Sequence, residues 1–222
     1  MKVINFFAGP GAGTSTMAAG VFHRMKSAGM SVELVTEYAK ELVWRGDYKT
    51  LENQALVTQE QFTRVACLRG KVDYVVTDSP ILLGKIYAPP AQECVGDNAI
   101  KLFKLFDNVN FFVTRVKPYV PVGRRESEES ARFVDAQLYH LLYRLDEDYR
   151  CVRGDDVGLE TTLKYIEALH AKTDRALLTS GTEREKHCGD GAAEAAGYAH
   201  RLFCGPAQED GRHASGRGRT TA

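Results

Sequence analysis

The chain has no surplus of charge of either sign. Its 222 residues carry 29 Lys+Arg against 29 Asp+Glu, so overall electrostatics argues for neither nucleic acid nor a membrane surface, and only a local patch could do so. A cysteine framework is missing too. Cys67, Cys94, Cys151, Cys188 and Cys204 are odd in number and far apart, which reads as free thiols in a reducing compartment. No apolar run approaches the ~20 residues of a membrane span. The N-terminus turns into a strand within two residues instead of resembling a leader. Together these absences predict a soluble cytoplasmic protein without membrane partners.

The last fifty residues lack something further. Residues 173–222 contain no Ile and no Val, but eight Gly and nine Ala. Such a stretch buries too little apolar surface to offset its ordering entropy. The expected organisation is a domain over 1–172 and a flexible tail over 173–222, with an isolated helix conceivable at 192–203. His187, Cys188, His200 and Cys204 in that tail fit no standard zinc spacing.

What is present begins with an apolar strand at 3–7 and the glycine-rich stretch Ala8-Gly9-Pro10-Gly11-Ala12-Gly13-Thr14-Ser15-Thr16. Met17, Val21, Phe22 and Met25 then recur at helical spacing up to Gly29. A strand, a glycine turn and a helix whose first amides point outward are the parts of a phosphate-binding loop. Against the pattern G-x-x-x-x-G-K-[ST], Ala8 replaces the first glycine and Thr14 replaces the lysine. A ligand-free glycine turn is the plain alternative.

Further strands are expected at 31–35, 72–77, 109–114 and 149–152. Helices are expected at 38–44, from Thr50 to Gly70, and at 100–106, 128–145 and 158–171, with a loop over 89–97 behind the Pro89-Pro90 breaker. Strands alternating with helices predict an α/β fold around a parallel five-stranded sheet. Ligands of such sheets bind beyond the carboxyl ends of the strands.

Polar groups stand at those ends. Ser15 offers a hydroxyl to Mg²⁺. Glu37, after the second strand, could take a proton from an attacking hydroxyl, or simply favour the start of a helix. Asp78, after the third, could hold a metal or cap a helix begun by Pro80. After the fourth strand, Arg115, Lys117, Arg124 and Arg125 lie on a loop with few apolar anchors. That suits a lid whose arginines pair phosphate oxygens, although solvated basic loops are common.

The segment VTEYAKELVW, the helix carrying Gln59, Gln61 and Arg64, the run KVDYVVTDSPILL and the loop RVKPYVPVGRRESEESARFVD together resemble a family of P-loop kinase-like NTPases. That family is abundant in bacteriophages and related to ribosylnicotinamide kinases and deoxynucleoside kinases. The resemblance covers roughly residues 1–170. It implies a nucleotide-kinase-like P-loop fold with a lid, ATP and Mg²⁺ as cofactors, and phosphoryl transfer to a nucleoside, a nucleotide or a hydroxymethylated DNA base, in the host cytoplasm if the gene is a phage's. A homodimer is left open. Under this resemblance Gly9, Gly11, Ala12, Gly13, Thr14, Ser15 and Thr16, with Arg115 and Arg125, hold the donor nucleotide. Ser15 and Asp78 attend the metal; Glu37, Asp78 and Arg124 are catalytic. Tyr38, Gln59 and Arg64 lie on the acceptor side, where an ordinary polar helix face is the alternative.

Thr14 departs from that family. A threonine donates one neutral hydrogen bond and cannot replace a lysine's charge on the phosphates. Three explanations stand: a substitution that traps nucleotide in an inactive protein, a cation from elsewhere (Lys85, Lys117, Arg124 or Arg125), or a nucleotide sensor that performs no transfer.

Overall fold

A computed structural model describes residues 1–122 and 126–180, with side chains to residue 173. The lid residues Arg124 and Arg125, the candidate helix at 192–203 and the histidines and cysteines of the tail therefore lie outside the described residues.

Five strands form one parallel sheet: β1 (Lys2–Phe7), β2 (Val32–Val35), β3 (Tyr74–Thr77), β4 (Asp107–Thr114) and β5 (Tyr149–Arg153), in the order β2-β3-β1-β4-β5. Every strand is followed by at least one helix, as parallel neighbours require. The α/β architecture around a parallel five-stranded sheet, with the glycine turn behind the central strand, is the one the sequence predicts.

Alternation along β1 shows why both faces are covered. Ile4 and Phe6 point to one side and pack with Val76, Phe111 and Val113 against Met17, Val21 and Met25 of α1 (Thr14–Ser27). Leu163 and Ile166 of α8 (Asp156–Ser180) complete that layer. Val3 and Phe7 point to the other side, where α4 (Gln54–Ala66), α6 (Glu93–Phe103) and α7 (Glu128–Arg144) supply Phe62, Val65, Phe103, Leu138 and Leu142. Phe6 and Phe7 are fully buried, each contributing about 1.5–3 kcal/mol by leaving water. Phe6 stacks on Phe111 of the neighbouring strand at 5.6 Å between ring centres.

Three helical segments differ from expectation. The helix expected from Thr50 is two, α3 (Tyr48–Glu52) and α4, each with its own cap. The Asp47 side chain accepts from the Thr50 amide, and that of Asn53 from Leu56, so two short polar residues interrupt the backbone ladder. The loop expected over 89–97 is helical from Glu93. Pro90 sits in a 3₁₀ turn that leads into α6, whose Val95, Ala99, Leu102 and Phe103 are buried. Here the prolines start a helix. A short α5 (Leu83–Tyr87) starts three residues after Pro80, where the alternative reading began a helix, and no side chain caps it; its Gly84 lets it lie directly on Thr58 of α4.

α2 spans Tyr38–Arg45, close to its expected bounds, and α8 runs past position 172 to Ser180.

Candidate functional site

Strand register brings the candidate groups together. Val35 pairs with Thr77 and Thr77 with Asn5, so the chain leaves β2 and β3 at one edge, next to the end of β1. Glu37, Asp78 and the glycine turn follow from there.

The turn depends on two left-handed residues, Gly11 (φ +83°) and Gly13 (φ +106°), a conformation that costs side-chain-bearing residues free energy. Gly9 fits because it has no side chain: a Cβ there would stand 2.2 Å from the Ala131 carbonyl oxygen. α1 then begins at Thr14 with no side-chain cap and no acid in its first turn. Its amides and positive dipole end therefore have no cap or acid from the helix's own first turn, which favours holding an anion.

Beside them the Ser15 hydroxyl donates to Asp78 Oδ2 at 2.5 Å. Asp78 is only 8% exposed, and its Oδ1 is buried without a hydrogen-bond partner. A buried carboxylate oxygen carries a desolvation cost that a cation would offset. The donor set, one hydroxyl and one carboxylate, suits a hard cation such as Mg²⁺ that keeps waters and phosphates as its other ligands. Among the described residues no cluster of three or more His, Cys, Asp or Glu forms a self-sufficient metal cage.

These groups open onto one cleft of about 870 Å³, within the range of small-molecule sites. Gly9, Gly11, Thr14, Ser15, Glu37 and Asp78 all line it. Glu37 occupies the N-cap position of α2, yet its side chain does not cap that helix. Ala12 is buried behind the turn, against the α1 and α8 layer.

Arg115 has a different place from the one expected. Its Nε and Nη2 donate to Asp135 at 2.5 and 3.2 Å, and its Nη1 donates to the Pro10 carbonyl at 2.6 Å. The guanidinium is thus committed to α7 and to the glycine turn's own backbone, not extended over the cleft. Tyr119, four residues on, packs its ring on Gly11 and donates its hydroxyl to the Glu126 carbonyl. The segment after β4 is in this way a strap across the turn.

Tyr38, Gln59 and Arg64 do not line the cleft. Arg64 pairs with both carboxylate oxygens of Glu41 and with Glu60, and its guanidinium carbon lies 4.8 Å from the Tyr38 ring centre. The hydrogen bond from Arg64 is the main reason the Glu41 carboxyl titrates below its ordinary range. The same bond raises Arg64. Together these residues join α2 to α4.

Among the lining residues to which the sequence reading gives no role are Gln61 and Tyr87. Gln61 is buried, its Oε1 accepting from the Tyr38 amide at 3.0 Å. Its signal was a polar residue among Val57, Phe62 and Val65, on the buried side of α4. Tyr87, at the end of α5, lines the cleft as well. Burial, and then the charges of Glu126, Glu37 and Asp135, push its hydroxyl above the ordinary tyrosine range. It stays protonated and able to donate at any physiological pH. No local pattern marked it.

No family model matches the chain, and no curated protein matches it in sequence. Among solved structures it is similar to the deoxyadenosine kinase of M. mycoides with dCMP and a flexible dCDP, at 16% identity and a TM-score of 0.43, covering 76% of this chain and 100% of that one. The same kinase with bound dATP gives 15% identity and a TM-score of 0.46 over 77% and 100%.

Proposed function

We propose that the chain is an ATP-dependent phosphotransferase acting on a nucleoside or nucleotide. One observation carries the reading: a buried, unpartnered carboxylate oxygen of Asp78 beside Ser15, at the uncapped start of α1, inside a cleft that also holds Glu37. The amides of residues 11–16 take the polyphosphate. Ser15 and Asp78 would hold a magnesium ion that accompanies it. When bound, that ion neutralises charge on the phosphate oxygens.

The acceptor hydroxyl lies toward Glu37, which orients it and receives its proton as the new oxygen–phosphorus bond forms and the bond to ADP breaks. Tyr87, held in its protonated form, donates to an acceptor oxygen. Gln61 serves on the acceptor side of the cleft, where Gln59 was expected. Tyr38 and Arg64 act indirectly, keeping α2 in place through Glu41.

The missing loop lysine at Thr14 favours a second reading, a nucleotide-binding sensor without transfer. Incubating wild type and Thr14→Lys with ATP, Mg²⁺ and nucleosides, monophosphates or hydroxymethyluracil DNA distinguishes them. Phosphorylated acceptor is expected at least from the lysine form, and the productive member of the panel names the acceptor. Retained nucleotide binding with no phosphorylated product from either protein would establish the sensor.

A further inference from the structure

We propose that Lys40 supplies, from helix α2, the ammonium that the glycine turn lacks at Thr14, and that it contacts the oxygens of the terminal phosphoryl group; this rests on the phosphotransferase reading above.

The cleft is acidic. Glu37, Glu52, Asp78 and Glu126 line it, and among the described residues Lys40 is the one cationic side chain that does. A polyphosphate entering four carboxylates meets like charge, which a resident cation must offset along with the metal. Lys40 also lines a second recess of about 220 Å³ together with Ser15, Glu37 and Asp78. It therefore shares both openings with those three groups.

Its freedom distinguishes it from the other cations. Lys40 is half-buried and makes no hydrogen bond or ion pair among the described residues. Lys85, by contrast, is bound to Asp97 at 2.8 Å, Arg115 to Asp135, and Arg64 to Glu41 and Glu60. Lys85 and Lys117 are both absent from the cleft wall.

Topology explains how a lysine from another helix can serve. Because β2 and β3 end in register, α2 starts at the edge from which Asp78 leaves the sheet. Lys40 is the third residue of that helix, close behind Glu37. An ammonium is a compact charge on a flexible stem and needs no fork geometry, so its point of attachment can differ as long as the charge arrives. On this arrangement the cation approaches the phosphoryl group from the acceptor side, not from along the loop.

The test uses the full chain as wild type, Lys40→Met, Lys40→Arg, Thr14→Lys and the Thr14→Lys/Lys40→Met double variant. Two quantities are measured: calorimetric affinities for Mg·ATP and Mg·ADP, and acceptor-dependent transfer. Lys40→Met should lower transfer about 100-fold and erase most of the preference for ATP over ADP, with an unchanged melting profile. Lys40→Arg should retain part of both. Thr14→Lys should restore both on the Lys40→Met background, which no structural role of Lys40 would allow. A Lys40→Met protein equal to wild type in transfer and in ATP preference would overturn the proposal, and so would a loss that Thr14→Lys fails to restore. If no variant transfers phosphate to any acceptor, the phosphotransferase reading fails, while the ATP-over-ADP preference still decides whether Lys40 meets the terminal phosphate.

Discussion

Arg115 and Asp135 form a largely buried ion pair, 9% and 20% exposed, and both partners grip the glycine turn. Arg115 donates to the Pro10 carbonyl, and Asp135 Oδ1 accepts from the Gly9 amide at 2.6 Å. The turn is thereby tied to the end of β4 and to α7. A residue expected to move with a lid is instead one of the fixed points of the glycine turn.

Removing one partner should cost more than removing both. Arg115→Met leaves the Asp135 carboxylate uncompensated in a confined site, and about 3 kcal/mol of stability should be lost. In the Arg115→Met/Asp135→Leu protein the loss should be smaller than the sum of the single changes. Urea unfolding of the four proteins, combined as a double-mutant cycle, reads the coupling directly.

Gly11→Ala should damage the loop in two separable ways. Its φ of +83° strains any residue with a Cβ, and that Cβ would lie 2.7 Å from the Tyr119 ring. Backbone strain of this kind is worth about 1–3 kcal/mol. Adding Tyr119→Ala should relieve only the steric part. ATP affinity should therefore recover partly, not fully, in the double variant.

Asp78→Asn removes the carboxylate charge while keeping side-chain size. If Ser15 and Asp78 hold the cation, the variant should lose the Mg²⁺ dependence of ATP binding. Transfer should fall about 10²–10³-fold, the scale of losing one electrostatic stabiliser. Binding titrations with and without Mg²⁺ check the first effect. Equal Mg²⁺ dependence in wild type and variant would remove Asp78 from the metal site.

The Glu41–Arg64 link should make part of the stability sensitive to acid. Glu41 titrates lower in the folded chain, mainly through its hydrogen bond from Arg64. Its stabilisation is therefore complete above the unfolded value of about 4.3 and disappears as pH falls through the lower, folded value. With both side chains partly exposed, at 27% and 35%, the contribution is under about 1 kcal/mol. Glu41→Gln should be less stable than wild type at pH 7 and converge with it in urea unfolding as the pH falls through the lowered, folded value of Glu41.

The sequence by itself determined the sheet, the glycine turn and the strand ends where chemistry belongs. Each is a local property: apolar runs such as VDYVVT, breakers such as Gly29 and Gly70, and the glycines that permit left-handed backbone. It also singled out Ser15, Glu37 and Asp78, because a parallel sheet brings successive strand ends to one edge. Only the tertiary structure decided which side chains face the cleft. Gln61 lines it and Gln59 does not, since two residues along a helix turn a side chain by just over half a revolution and packing selects which face is buried. Arg115 left the lid for the loop because Asp135, twenty residues away, takes its charge. Tyr87 and Lys40 came to the site on helices whose positions depend on long-range packing. The glycine stretch matches a phosphate-loop pattern except for its lysine. Whether another cation stood within reach of that gap was a question of distance through space, which spacing along the chain does not encode.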